Sequence, residues 1–175
     1  ARLNHRFYAG GLCFVELEAP AALAESIALF SIVRAIRQMP QLRVLQPAFR
    51  TSGIPSVAVE LPPVAAMDPS INVAIFDGGL PPAHPLSAWA SPYEIVGTGL
   101  AVDEFLNHGT GVTSAFLFGS IDPSKPLPQP YSNVDHYRVL DGDPSQNLHE
   151  LYEVFGRITS ALDQKHYDFV NLSIG

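Results

Sequence analysis

The most constraining feature of the sequence is a nearly continuous apolar run, INVAIF, that ends in Asp77-Gly78-Gly79. Strands that are apolar on both faces are typical of parallel sheets covered by helices on both sides. Open sheets of this kind place functional groups where their strands end. The run therefore predicts a buried strand that delivers Asp77 to a functional edge. The alternative for Asp77 alone is a capping role at a turn or a helix start.

The segments after residue 71 alternate between strand and helix patterns. We predict strands within residues 93–100, 136–143 and 167–175 and a helix over residues 147–162, whereas periodicity leaves residues 108–119 open as helix or strand. This order is typical of an α/β domain with a parallel sheet and flanking helices. We assign that domain to residues 71–175.

The first 62 residues have a different rhythm. They predict a strand at Leu12–Glu18, a helix from Leu23 to about Met39, and two further strands within residues 42–49 and 54–62. The helix should end there because Pro40 disfavours helical geometry in the residue before it. Residues 1–62 are thus expected to form a small α+β module of β-α-β-β order, with the helix on one face of an antiparallel sheet. Residues 62–70 contain three prolines, and we place a linker at residues 63–70.

Composition narrows the range of partners. The net charge is -7 and the basic residues are scattered, so no nucleic acid partner is expected. No run approaches the roughly 18 apolar residues of a membrane span, so no membrane partner is expected either. Cys13 is the single cysteine, which excludes an intrachain disulfide and indicates a small buried hydrophobe. Nothing in the sequence indicates a compartment.

The second candidate group is the segment Asn107-His108-Gly109-Thr110-Gly111-Val112. A histidine that leads a Gly-Thr-Gly turn into an apolar helix should stand partly exposed at the first turn. There one ring nitrogen can accept a proton while a carboxylate holds the other. A lone histidine is more often a satisfied polar residue, and the other five histidines have no such context. We therefore expect the Asp77 carboxylate within about 2.6 to 3.2 Å of His108 Nδ1.

Together these motifs resemble the subtilisin-like serine peptidases, the subtilase family. The segment INVAIFDGGLPPAHP is similar to the family's aspartate motif with its later His-Pro pair, here His84-Pro85, and HGTGV is similar to its His-Gly-Thr-x-Val motif. YDFVNLSIG resembles the strand that forms one wall of the substrate cleft, and HYRVLDGD a strand between these motifs. The order, Asp before His, is also that of subtilisin.

The resemblance implies a subtilisin-like parallel sheet and a site for peptide-bond hydrolysis by an Asp-His-Ser triad. Asp77 would orient the imidazole, and His108 would act as general base and then as general acid. Ser173 and Gly175 would line the cleft and pair with an extended peptide or protein substrate. No cofactor is expected, and the spacing of the loop carboxylates predicts no metal site.

The sequence departs from the family pattern at several positions. Gly78 stands where Ser or Thr is usual, Gly111 where many members have a second His, and Thr113-Ser114 where Ala-Gly is common. The nucleophile motif Gly-Thr-Ser and the oxyanion Asn are not found in the 175 residues. We therefore expect an incomplete subtilase domain, the N-terminal part of a peptidase, that is inactive by itself. Residues 1–62 would then be a propeptide-like or accessory module.

Two other functions stay open. A haloacid-dehalogenase-like phosphatase also begins with a strand that ends in Asp, but it needs a second Asp two residues on, where this chain has Gly79. A non-catalytic subtilase-fold module that binds peptides is the stronger alternative. We also expect the strand at 169–173 to lie beside the strand at 72–76 or 136–140, to be unusually exposed, and to permit self-association through an exposed sheet edge.

Overall fold

The computed structural model describes residues 1–39, 59–122, 124–142 and 150–174. An antiparallel pair of strands and a short helix come first, followed by a four-stranded parallel sheet with two longer helices. The elements are β1 (Arg2–Ala9), β2 (Leu12–Glu18), α1 (Ala24–Ala28), β3 (Val73–Asp77), β4 (Ala90–Glu94), α2 (Asp103–Phe118), β5 (Val134–Arg138), α3 (Glu150–Leu162) and β6 (Phe169–Leu172). The parallel sheet has the order β4-β5-β3-β6. The predicted α/β class with a parallel sheet and flanking helices is confirmed at this level.

Strand β3 lies inside the sheet and is buried along its whole length. Successive side chains of a strand point to opposite faces, and each face of β3 enters a different core. Val73 and Ile75 pack in the cluster that includes Leu117 and Phe118 of α2. Ala74 and Phe76 pack in the cluster that includes Val154, Ile158 and Ala161 of α3. Burial on both faces is the physical reason for the unbroken apolar run.

The antiparallel hairpin packs on α3. Gly10 and Gly11, both with positive φ, form the tight turn between β1 and β2. Phe7 stacks on Phe14 across the hairpin, with ring centroids 5.0 Å apart, and meets the edge of the Tyr152 ring at 5.5 Å. The sequence reasoning missed β1, so in the described residues the module begins β-β-α. Cys13 is exposed, and the expectation that it is buried was wrong.

The predicted helix from Leu23 to Met39 is much shorter in the structure. After a 3-10 turn at Ala21–Leu23, helix α1 ends at Ala28, and residues 33–39 have no regular structure. No residue of α1 is buried, and Leu29 and Ile32 are 86% and 88% exposed. Because a helix gains most of its stability from packing of its apolar face, this unpacked stripe does not sustain one. The predicted strand within residues 42–49 and most of the one within 54–62 lie outside the described residues.

Each strand predicted in the larger domain overlaps an observed one, but β4 and β5 lie earlier than predicted, and β5 ends at Arg138, within the first half of the predicted 136–143 segment. Strand β4 begins at Ala90, three residues before the predicted segment, and residues 95–100 beyond it have no regular structure. Strand β6 pairs in parallel with β3, as expected, and all four of its residues are exposed. The described part of the predicted 147–162 helix, Glu150–Leu162, is helical. None of the helices in the described ranges is long and apolar enough to cross a membrane.

Helix α3 holds the loops beyond the carboxyl ends of β4 and β5. Arg157 donates to the Val139 carbonyl oxygen at 2.7 Å, to the Gly97 carbonyl oxygen at 3.2 Å and to both carboxylate oxygens of Asp141. The backbone N–H of Gly99 also donates a hydrogen bond to Asp141 Oδ2. A buried guanidinium that forms such a fork is a strong, directional contact. It orders the sheet edge at which β3 delivers Asp77.

Candidate active site

Asp77 is the last residue of β3, and its side chain is fully buried. Its Oδ1 accepts a hydrogen bond of 2.7 Å from the Gly78 N–H. Burial raises the pKa of this carboxyl above its ordinary value, while the hydrogen bonds from His108 and Gly78 act in the opposite direction. A buried carboxylate needs such donors, because an isolated charge in the protein interior is costly.

His108 lies in helix α2, which resolves the choice between helix and strand for this segment. The helix begins at Asp103, so His108 is in its second turn rather than at its start. The sequence reasoning treated Asp103 as a loop carboxylate and gave Glu104 no role, but both stand in the first turn of α2, where acidic side chains complement the helix dipole. The shift leaves the imidazole 30% exposed, so it is reachable from solvent although its partner is not.

Asp77 and His108 form a close pair. His108 Nδ1 lies 2.9 Å from Oδ1 and 2.9 Å from Oδ2 of Asp77, which confirms the contact expected from the sequence. An ionised carboxylate only accepts hydrogen bonds, so Nδ1 carries the proton and donates it. In the neutral ring the lone pair is then on Nε2, which is hydrogen-bonded to none of the residues that the structure describes. The pair therefore presents a basic nitrogen with a fixed orientation.

Two glycines allow α2 to come this close to the turn after β3. A Cβ added at Gly78 would overlap the Phe105 side chain and lie 2.6 Å from the Phe105 carbonyl oxygen. A Cβ added at Gly109 would overlap the Gly79 carbonyl oxygen and lie 3.1 Å from His136 Cε1. Gly79 has a φ of +98°, which a side chain rarely adopts. The backbones of helix and turn are thus in direct contact on either side of His108.

The same contacts bear on three positions at which the sequence differs from the motifs it resembles. Gly78 stands where Ser or Thr is usual, and Phe105 leaves no room for their Cβ. Gly111 has open space around it, so its lack of a side chain meets no packing need. Thr113 stands where a small residue is common, and its hydroxyl lies 2.8 Å from Nδ1 of His136. The larger side chain is therefore accommodated through a polar contact with β5.

Two further histidines are buried near this pair; the sequence analysis named His84 only as part of a His-Pro pair and gave His136 no role. His136 in β5 is fully buried, and His84 in the loop after β3 is 8% exposed. Burial is the main cause that lowers the pKa of His136 to about 4, and the charges of His84 and His108 add to the effect. Burial also lowers the pKa of His84. Only the alternation of β5 could have indicated that His136 shares the face of Val134, and nothing local indicated Thr113 as its partner.

Arg138 and Glu94 form an ion pair at the ends of β5 and β4, on the side of β3 that faces these strands. Arg138 ends β5 beside Asp77 and bonds through Nε to both carboxylate oxygens of Glu94, at 2.8 and 2.7 Å. The arginine stem packs against Gly79, whereas Glu94 is 63% exposed. Glu94 is paired in register with Arg138, and Arg138 with Asp77. A row of three charged residues therefore runs along the carboxyl edge of the sheet.

Ser173, predicted to line a cleft, lies at the same sheet edge as Asp77. Its N–H donates to the Phe76 carbonyl oxygen at 3.0 Å, and its hydroxyl donates to Asn171 Oδ1 at 2.6 Å. The structure places it beside the end of β3, without a hydrogen bond to His108. Gly175, the other predicted cleft residue, lies outside the described residues.

Comparisons with protein-family models, with curated proteins and with solved structures gave no match. Among residues 1–39, 59–122, 124–142 and 150–174, no group of three or more His, Cys, Asp or Glu side chains is arranged to hold a metal ion. The chemistry of the site depends on one arrangement, a buried carboxylate that orients a partly exposed imidazole.

We predict that Gly109→Ala and Gly111→Ala have opposite effects on stability. The methyl group at position 109 has to displace α2 from the Gly79 carbonyl, which should lower the free energy of unfolding by roughly 1 to 3 kcal/mol. The methyl group at position 111 meets open space and improves helix propensity, which should add about 0.5 to 1 kcal/mol. Urea unfolding followed by circular dichroism measures both. Equal effects of the two variants would contradict the described helix contact.

We also predict a specific pH dependence of stability from His136. Its pKa is about 4 in the folded chain and about 6.5 when unfolded, so between these values the unfolded state binds the additional proton. Stability should therefore fall as the pH decreases from about 6.5 to 4, by on the order of 3 kcal/mol from this group. His136→Gln should remove that part of the slope in unfolding curves recorded across the window. A variant with the slope of the parent chain would show that His136 is not buried and neutral.

Proposed function

We propose that Asp77 and His108 are the aspartate and histidine of an Asp-His-Ser site for peptide-bond hydrolysis in a subtilisin-like serine peptidase. The observation that carries this proposal is the hydrogen bond from His108 Nδ1 to the buried Asp77 carboxylate. It supports the histidine tautomer in which Nε2 is the base. The order of the motifs along the chain and the position of Asp77 at the carboxyl end of a buried parallel strand give independent support.

The pair would act in two proton transfers. His108 Nε2 would take the proton of a serine hydroxyl as its oxygen attacks the peptide carbonyl, and the resulting imidazolium would then protonate the leaving amine. Asp77 would stay ionised and stabilise the imidazolium through the same hydrogen bond. None of the described serines is hydrogen-bonded to His108, and the Ser173 hydroxyl donates to Asn171 Oδ1, so the proposal assigns the nucleophile to none of them.

The sheet edge supports a peptide as substrate. Strand β6 is an outer strand of the parallel sheet, pairs only with β3 among the described strands, and has four exposed residues. An extended peptide can add to such an edge through main-chain hydrogen bonds. The same observation supports a second candidate function, a module of this fold that binds peptides without cleaving them. It also supports self-association as a proposal, since a second copy can pair with the same edge.

A haloacid-dehalogenase-like function has less support. In that chemistry the strand-end carboxylate has to attack phosphorus and share a magnesium ion with a second carboxylate. Asp77 is fully buried with both oxygens next to His108 Nδ1, and the position two residues on is Gly79. A carboxylate in this environment orients a histidine more readily than it reaches a phosphoryl group.

The proposal predicts different losses of activity for the two residues in the complete product of the gene. Where that product includes a Gly-Thr-Ser segment, it should hydrolyse a chromogenic peptide ester, which the 175-residue chain alone should leave untouched. Asp77→Asn should lower kcat about 10⁴-fold through the wrong histidine tautomer. His108→Ala should lower it about 10⁶-fold through loss of the base.

The matched control is Lys125→Ala, because Lys125 is 74% exposed and its ammonium group forms a surface ion pair with Asp122. It should leave kcat unchanged. Hydrolysis that persists in His108→Ala would contradict the proposed role of the histidine. Peptide binding without turnover by a complete product that has no Gly-Thr-Ser segment would identify the non-catalytic module instead.

A further inference from the structure

His136 supports the helix turn that carries His108. Its imidazole projects from the middle of β5, is fully buried, and contacts α2 at two places. Nδ1 lies 2.8 Å from the Thr113 hydroxyl, and Cε1 faces Gly109 so closely that an added Cβ there would lie only 3.1 Å away. Gly109 is the residue directly after His108. The ring of His136 therefore lies between β5 and the helix turn that carries His108, and packs against that turn.

The size of the side chain at position 136 therefore influences how far α2 lies from the sheet at His108. A larger group would lift the turn, whereas a smaller one would leave it supported on one side only, by the Gly79 backbone that Gly109 already touches, and would let it tilt. The Asp77 carboxylate cannot follow such a movement, since β3 is paired on both sides and buried. A shift of the helix would thus be taken up in the separation between Nδ1 of His108 and the two Asp77 oxygens.

The hydrogen bond with Thr113 orients the ring. Thr113 is itself fully buried, so its hydroxyl has no water to replace a lost partner. Nε2 of His136 has no hydrogen-bond partner among the described residues, so the Thr113 contact is the one polar contact described for the ring. A residue that only filled space would not need the hydroxyl, whereas a residue that sets the helix position by direction as well as size does.

We propose that His136 is a positioning residue of the candidate site, which together with Thr113 sets the depth of the α2 turn and so the hydrogen bond between Asp77 and His108. Its importance for catalysis rests on the proposed function. Its effect on the hydrogen bond does not, and the two can be tested separately. His136 touches neither a substrate nor the reacting atoms; it acts through His108.

The test is NMR spectroscopy of the 175-residue chain labelled with ¹⁵N-histidine. A proton on His108 Nδ1 that is held by a carboxylate gives a downfield resonance in slow exchange with water, and Asp77→Asn assigns it by its loss. Thr113→Val keeps the shape of Thr113 without the hydroxyl, and Thr113→Ser keeps the hydroxyl. If the valine variant does not fold, Thr113→Ala replaces it. The matched control is Val154→Ala, which opens the core on the α3 side of the sheet.

We expect Thr113→Val to lose the resonance or to exchange that proton about tenfold faster, as the loss of one net hydrogen bond implies. Thr113→Ser should restore it, and Val154→Ala should keep it despite its lower stability. A wild-type resonance in Thr113→Val or Thr113→Ala, or an equal loss in Val154→Ala, would overturn the proposal. The expected resonances in a complete product that hydrolyses no peptide would contradict the proposed function and leave the positioning role intact.

Discussion

The backbone contact between helix α2 and the turn after strand β3 is the constraint on which the candidate site depends. In this chain, the hydrogen bond between the fully buried Asp77 carboxylate and His108 goes together with a backbone approach closer than a Cβ would allow. Gly78 against Phe105 and Gly109 against Gly79 supply that approach. The cores on both faces of β3 then keep Asp77 in place, so the helix position determines the geometry of the pair. The packing of α2 against the turn after β3 therefore also determines the geometry of the Asp77–His108 hydrogen bond.

Much of the site was readable from the sequence because its signals are local. The apolar run that ends in Asp77 predicts a carboxylate at a functional strand end, and the small residues around His108 distinguish it from the other histidines. Their order along the chain, Asp before His, indicates that the two belong to one site. Periodicity also predicts the helix α3, whereas it leaves most of α2 open as helix or strand. The spacing of apolar residues predicts Leu151, Phe155, Ile158 and Leu162 on the buried face of α3. The structure buries Ile158 together with Val154 and Ala161, leaves Leu151 and Phe155 half-buried and leaves Leu162 exposed.

The parts that sequence reasoning missed depend on distant contacts. The helix predicted to reach Met39 has the correct periodicity but no surface on which its apolar face packs in the described residues, and it ends at Ala28. The hairpin instead places Phe7 against aromatic residues of α3, nearly 150 positions later in the chain. His136 and Thr113 meet across β5 and α2, and Arg157 of α3 joins the loops that follow β4 and β5. No pattern within a short window contains that information.

The central claim, that Asp77 makes His108 a nucleophilic base within reach of a bound peptide, is tested most directly by alkylation with a peptidyl chloromethyl ketone, mapped by mass spectrometry over the six histidines. The account predicts that His108 is alkylated at Nε2 faster than His5, although His5 is more exposed, 49% against 30%. Chloroacetamide, which has no peptide part, should give His108 a smaller advantage. Labelling by the peptidyl reagent that simply follows exposure, with His5 ahead of His108, would contradict the account.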